Sequence, residues 1–322
     1  MKKPKILVVG SINYDFIYHN LLEEGINDNG MVFAQYTTGN GGKGANQAAA
    51  LALLGANSFL AGSVGNDEYG RNQIDSLRKS GVNTDFIQMN QTLQTGMSVM
   101  LNRNNGSYIG ANVLGANASL SPDLVENIIN NHSFDMVIMQ LEMPLETVYR
   151  TYETAKNRNI PVILDAGPAK SIPLERLKGI FIITPNEEET QALTGISVDC
   201  EENARKASRK LHKETNAQYI VLKLGSRGSY LYDGLQGILF PPYPTLSVDS
   251  TAAGDSFTAE LAIRLCRNDS ITHAIKYANA AGAICVSRPG GQLSVPSESE
   301  VEQFVKQNTD NYKNNSKEGL TL

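Results

Sequence analysis

Apolar residues along this chain fall into short unbroken runs that end at glycine or polar residues. Ile6-Leu7-Val8-Val9 ends at Gly10, and Met136-Val137-Ile138-Met139 leads into Gln140-Leu141-Glu142. Val162-Ile163-Leu164, Phe181-Ile182-Ile183 and Ile220-Val221-Leu222 repeat the pattern. Such runs predict strands buried on both faces. Helical stretches separate them, around residues 68–80, after Pro144, and over 257–267 and 272–286. An Ala/Leu-rich helix opens after Gly44 and ends near Gly55. This alternation predicts an α/β fold with a doubly wound, mostly parallel sheet flanked by helices.

Two stretches have a different texture. Over 16–40 and 95–112, aromatic and aliphatic residues alternate with polar ones, as in Val32-Phe33-Ala34-Gln35-Tyr36 and Ser98-Val99-Met100-Leu101. Turn pairs at Asn29-Gly30 and Asn104-Asn105-Gly106 punctuate them. They predict a small β-sheet lid inserted into one domain spanning 1–308. The polar tail, 309–322, reads as frayed or disordered.

Composition adds exclusions. The chain has 322 residues, enough for a large core, and a net charge of −5. That charge suggests neither a nucleic-acid partner nor an anionic membrane. No apolar run is long enough to span a bilayer, and the first residues read as a strand rather than a signal peptide. Three cysteines and four histidines are scattered without metal or triad spacing. A reduced, cytoplasmic protein is expected.

The candidate chemistry centres on Asp249-Ser250-Thr251-Ala252-Ala253-Gly254-Asp255. Small residues before an apolar helix leave its first N–H groups open as an anion site. Asp255 stands at that helix start, where an acid either caps the helix or accepts a proton from an attacking hydroxyl. Asn13 and Asp15 follow the first strand, where ligands bind in open α/β sheets. They serve equally well as Asx-turn residues. Gly39-Asn40-Gly41-Gly42-Lys43-Gly44 formally fits a dinucleotide fingerprint, but it follows the lid segment rather than the first strand. No P-loop motif occurs.

Together these stretches resemble the PfkB family of carbohydrate kinases and its ribokinase-like group, over about residues 5–306. Gly41 to Gln47 and Asp249 to Asp255 carry most of the likeness. Gly10-Ser11-Ile12-Asn13, Gly115-Ala116-Asn117, Gln140-Leu141-Glu142, Thr184-Pro185-Asn186-Glu187 and Leu224-Gly225-Ser226-Arg227-Gly228 support it in order. The resemblance implies ATP-dependent transfer of a phosphoryl group to the primary 5-hydroxyl of D-ribose. Asp255 would be the base, with Ala252, Ala253 and Gly254 forming the anion hole. Asn13, Asp15, Gly41, Gly42, Asn46 and Glu142 would hold the sugar. Lys223, Gly225, Ser226, Gly228 and Asn279 would contact ATP. Asn186 and Glu189, an N-x-x-E motif, would act on Mg²⁺ and phosphate through water. Asp249, Thr251, Cys285, Arg288, Gly290 and Ser294 would surround an activating monovalent cation, K⁺. A homodimer formed through the lid is implied as well.

The chain departs from that pattern at Tyr14, Asn29-Gly30 and Gly39-Asn40 on the lid side, and mildly at Ser250. These changes leave deoxyribose, fructose or a nucleoside as alternative acceptors. A catalytically silent sugar-binding regulator is a reading of another class.

Overall fold

A computed structural model describes residues 3–21, 35–103 and 108–317. The lid turns at Asn29-Gly30 and Asn104-Asn105-Gly106 lie outside the described residues. β1 (Lys5–Val9) leads into β2 (Asn13–Leu21), and β3 (Gln35–Gly41) ends where α1 (Lys43–Leu53) begins. β4 (Asn57–Gly65), α2 (Glu68–Lys79) and β5 (Ile87–Asn90) follow, then β6 (Gly96–Arg103) and β7 (Tyr108–Val113). Helix and strand then alternate through α3 (Pro122–Asn131), β8 (Met136–Met139), α4 (Leu145–Asn157) and β9 (Val162–Leu164). The series continues with β10 (Ile182–Ile183), α5 (Glu187–Thr194), α6 (Glu201–Thr215) and β11 (Tyr219–Lys223). A hairpin of β12 (Ser229–Tyr232) and β13 (Gly237–Phe240) precedes α7 (Ala253–Cys266), α8 (Ile271–Val286) and α9 (Glu298–Lys317).

Among the described residues, nine strands form one sheet in the order β13-β12-β11-β10-β9-β8-β1-β4-β5. The strands from β11 to β5 are parallel, and the edge hairpin is antiparallel. The apolar runs work as the alternation of side chains requires. Ile6 and Val8 pack with Ile138, Ile163 and Val221 under α1, α7 and α8. Leu7 and Val9 pack with Val137, Met139 and Leu164 under α3, α4 and α6. The chain leaves β1 toward β4 on one side and returns to β8 on the other, which opens a crevice beyond their carboxyl ends.

A second sheet, ordered β3-β2-β6-β7, is the lid. Its register puts Asn13, Asp15 and Ser98 on one face, and Tyr14, Phe16 and Val99 on the other. Tyr14 therefore points away from Asn13 and Asp15. Its ring packs 4.5 Å from that of Tyr69 on α2, and its hydroxyl bonds Thr38 Oγ1 at 3.1 Å.

Three features differ from the sequence reading. α7 starts at Ala253 instead of Phe257, because Ala252 caps it in the left-handed region at φ 63° and releases the small residues into the first turn. The edge hairpin had no distinct signal. α9, which starts at Glu298, runs past residue 309 to Lys317, since extending a nucleated helix adds a hydrogen bond per residue. Among the described residues, no helix is long and apolar enough to cross a membrane.

Tyr69 also packs edge-on against Phe16 at 5.8 Å, so it ties the lid to the body. Tyr69→Ala should remove about 0.5–1.5 kcal/mol of aromatic contact locally. Hydrogen exchange should then quicken at the amides of β2 and stay unchanged in β1.

Candidate functional site

Ser11 and Glu142 meet across the crevice between β1 and β8, where the Ser11 hydroxyl donates to Glu142 Oε2. The same oxygen accepts from Lys43 N at 3.2 Å, and Oε1 accepts from Asn112 Nδ2 of the lid at 3.2 Å. α1 can start here only because Gly44 lies against β1: a Cβ on it would stand 2.6 Å from the Gly10 carbonyl carbon. Gly42, at φ 89°, turns the chain from the lid into this helix. Gly39 and Gly41 thus belong to lid strand β3, not to a nucleotide turn after β1.

Asn13 is held by a residue that sequence reasoning gave no role. Asn117, buried after β7, donates from Nδ2 to Asn13 Oδ1 at 2.7 Å and accepts from Ile12 N at 2.9 Å. That arrangement turns the Asn13 amide nitrogen toward the crevice as a donor. Asp15 faces the same space, and its Oδ1 is buried with no hydrogen-bond partner among the described residues. Burial pushes its carboxyl up to about 7, and the neighbouring Glu142 charge adds to the rise. An orphaned buried acceptor of this kind calls for a ligand donor.

Asp255, third residue of α7, is buried. Its Oδ2 accepts from Asn46 Nδ2 at 3.2 Å and its Oδ1 from Gln47 Nε2 at 2.9 Å. Asn46 is in turn fixed by Gln292 Nε2, which donates to Asn46 Oδ1 at 3.1 Å. Lys43 Nζ lies 3.9 Å from Asp255, 3.8 Å from Glu189 and 3.6 Å from Asp165. Burial works against the Lys43 charge, but Asp165, Asp255 and Glu189 outweigh it and hold the ammonium well above its ordinary value. Burial pushes the Asp255 carboxyl up, opposed by Lys43 and reinforced by Asp165.

Asn186 and Glu189 form a capping box on α5. Asn186 Oδ1 accepts from Glu189 N at 2.8 Å, and Glu189 Oε2 accepts from Asn186 N at 2.7 Å. The N-x-x-E spacing therefore has a helix-capping role in addition to any ligand role. Glu189 Oε1 is left facing Lys43.

On the other side of Asp255 is a cavity of about 400 Å³. Lys223, Gly225, Ser226, Gly228, Gly254 and Asn279 all line it, which brings together the expected nucleotide residues apart from Asn186. Lys223 reaches over the start of α7: a Cβ on Gly254 would lie 3.5 Å from its Nζ. The Ala253 N–H closes a turn onto Ser250 O at 3.2 Å. Gly254 and Asp255 follow as the next residues of the first turn, whose N–H groups have no intrahelical acceptor.

The predicted cation residues also converge. Asp249 accepts from Thr251 N at 2.9 Å and from Gly290 N at 3.0 Å. Burial alone would raise its carboxyl, but the Gly290 and Thr251 N–H groups hold it below the usual range. Cys285 Sγ sits 2.9 Å from Ser294 Oγ and 3.6 Å from Thr251 O. The Arg288 side chain turns away to Glu300 at 2.6 Å, so only its backbone belongs to this loop. Cys200, Cys266 and Cys285 are all unpaired thiols.

The Asp15 carboxyl carries a pH prediction. Its folded value, about 7, is above the ordinary 3.8. The unfolded chain therefore loses this proton first as pH rises, and the contribution to stability falls between about pH 4 and 7. Asp15→Asn removes that loss. Thermal unfolding should show the variant gaining on the parent at pH 8 and differing little at pH 4.

The pfkB family carbohydrate kinase profile matches residues 3–298. A ribokinase of Haemophilus influenzae is 31% identical over 94% of this chain and 99% of its own. A bifunctional ribokinase/ribose-5-phosphate isomerase A of Fructilactobacillus sanfranciscensis is 34% identical over 94% of this chain, which spans 56% of that longer protein. The structure of Arabidopsis thaliana ribokinase complexed with ribose and ATP superposes with a TM-score of 0.85 at 31% identity, covering 95% of this chain and 99% of that one. The matched span includes every element that builds the crevice, and the chain belongs to the pfkB family of carbohydrate kinases.

Proposed function

We propose that this protein is an ATP-dependent sugar kinase that transfers the γ-phosphoryl group to the primary 5-hydroxyl of D-ribose. One observation carries the reading. The buried Asp255 carboxylate stands between the cavity of about 400 Å³ and a shell of hydrogen-bonding side chains that includes Asp15 Oδ1, an acceptor without a partner among the described residues. ATP would occupy the cavity, with Asn279 on the adenine side and Gly225, Ser226 and Gly228 along the phosphates. The sugar would lie over Asn13, Asp15, Gly41, Gly42, Asn46 and Glu142.

Phosphoryl transfer needs positioning and charge neutralisation more than covalent help from the protein. Asp255 takes the proton of the attacking hydroxyl as the oxygen–phosphorus bond forms and the bond to the β-phosphate oxygen breaks. Burial makes this carboxylate more basic than usual, which suits a general base. The anion hole would form at Ala252, Ala253 and Gly254: the Ala253 N–H turns back onto Ser250 O, which leaves the Gly254 N–H open beside the cap at Ala252, and the Lys223 ammonium would face the same phosphoryl group. Tyr14 packs outside this space, so it does not crowd a pentose.

Mg²⁺ fits as an ion delivered with the nucleotide. Among the described residues, no group of three or more acids, histidines or cysteines converges to hold a bare metal. Asn186 and Glu189 Oε1 would meet it through water, and when bound it neutralises phosphate charge. The donor set at Asp249, Thr251, Cys285, Arg288, Gly290 and Ser294 is one carboxylate, one hydroxyl and backbone carbonyls. That chemistry suits a large, weakly hydrated cation such as K⁺ beside the anion hole. We place the reaction in the cytoplasm, where ATP and reduced thiols are available.

ADP release tested on ribose, deoxyribose, fructose and nucleosides, with Mg²⁺ and with or without K⁺, should show the highest kcat/KM for ribose. No sugar-stimulated turnover on that panel would refute the reading. Asp255→Asn should lower kcat by about 10²–10⁴-fold with a smaller change in sugar KM.

The outer lid face is the proposed contact with a second copy. Tyr36 is 59% exposed and Val113 54% exposed on the lid face that also carries Tyr14 and Phe16. Light scattering should report a dimer for the parent and a monomer for Tyr36→Asp.

A further inference from the structure

Asp165 belongs to no motif and has no role in the kinase reading, yet it is a fully buried charge in the middle of the site. It follows β9 directly, at the same carboxyl edge of the sheet as Glu142 and Lys223. Its Oδ1 accepts from Lys223 Nζ at 2.8 Å. Its Oδ2 accepts from Gln47 Nε2 at 2.6 Å and lies 3.6 Å from Lys43 Nζ. Gln47 Nε2 also donates to Asp255 Oδ1 at 2.9 Å, so one amide bridges the two acids. Gln140 donates to Gln47 Oε1 from the opposite side and fixes which end of that amide faces them.

We propose that Asp165 is a positioning residue for phosphoryl transfer: it holds Lys223 over the start of α7 and draws Lys43 off Asp255, leaving that carboxylate free to accept a proton. The inference rests on the assignment of Asp255 as the base. The distances carry it. Lys43 sits closer to Asp165 than to Asp255, 3.6 against 3.9 Å, and Lys223 bonds Asp165 directly. An ammonium in direct contact with the base would stabilise its ionised form and make it a weaker proton acceptor. Asp165 prevents this by offering both lysines a second carboxylate. Burial works to raise its own carboxyl, but the Lys223 and Lys43 charges outweigh that and keep it ionised.

The charged groups facing this cluster are Lys43 from α1, Glu142 after β8, Glu189 from α5, Lys223 from β11 and Asp255 from α7. Asp165→Asn keeps the shape and removes one negative charge from that set. With ribose, ATP and Mg²⁺, kcat should fall by about 10²-fold, the scale on which a displacement of about 1 Å acts. Sugar KM should change less than kcat. The acid limb of the kcat profile should move to lower pH, because a negative neighbour of Asp255 is gone and Lys43 has closed on it. A purely structural ion pair would lower the unfolding temperature without moving that limb. The Lys223→Met change should cost less in the Asp165→Asn background than in the parent, since the lysine has already lost its holder.

A kcat within twofold of the parent, an unmoved acid limb, or additive effects of the two substitutions would overturn the proposal. A crystal structure of Asp165→Asn tests the geometry without turnover. Lys43 Nζ should close from 3.9 Å to hydrogen-bond contact with Asp255. Lysines left in place would overturn the proposal even if the parent phosphorylated no sugar, so the two failures can be told apart.

Discussion

Three acids and two lysines share a nearly dry space at the carboxyl edge of the sheet, and the site depends on keeping those charges balanced. Asp165, Glu189 and Asp255 each lie within 4.0 Å of Lys43 Nζ, and Lys223 adds a second ammonium. An unpaired charge in such a place would cost several kcal/mol or lose its ionisation. The fold supplies the partners from separate elements. α1 brings Lys43 and Gln47, β9 brings Asp165, α5 brings Glu189, β11 brings Lys223 and α7 brings Asp255. Gly44 lets α1 press against β1 closely enough for Lys43 to reach the cluster.

That balance gives the site its chemistry. Asp255 is buried enough to be a better base than a surface acid, yet neighbouring cations keep it ionisable. Beside it, two neutral amides have their orientation set by partners, as Asn117 sets Asn13 and Gln292 sets Asn46. Each therefore presents one known donor or acceptor, and a ligand lacking the match leaves a buried polar group unsatisfied. The lid joins this shell to the body through Asn112, which reaches Glu142, and through the Tyr14–Tyr69 ring contact.

Much of this was legible along the chain because its signals are local. Small residues beside an apolar helix marked the neighbourhood of Asp255, and alternation of polar and apolar residues marked the lid strands. Other features had no local signal. Asn186-Glu187-Glu188-Glu189 read as a ligand motif, while its capping-box geometry appeared only with the helix. Lys43 read only as one residue of a discounted glycine-rich fingerprint, whereas it is the centre of the charge cluster. Asp165 sits 118 residues from Gln47 and 58 from Lys223, its hydrogen-bond partners, so no window of sequence could connect them.

By itself the sequence determined the layered α/β architecture, the lid, and the identity of the acid at the start of α7. Apolar periodicity, turn residues and helix-start residues act over a few positions, and the chain carries them wherever it goes. Only the tertiary structure decided which carboxylate each ammonium faces, which amide end each asparagine and glutamine presents, and that Asp15 Oδ1 is buried with no donor among the described residues. Those properties come from burial and from distances of 3–4 Å between groups far apart in the chain, and neither exists until the sheet has closed.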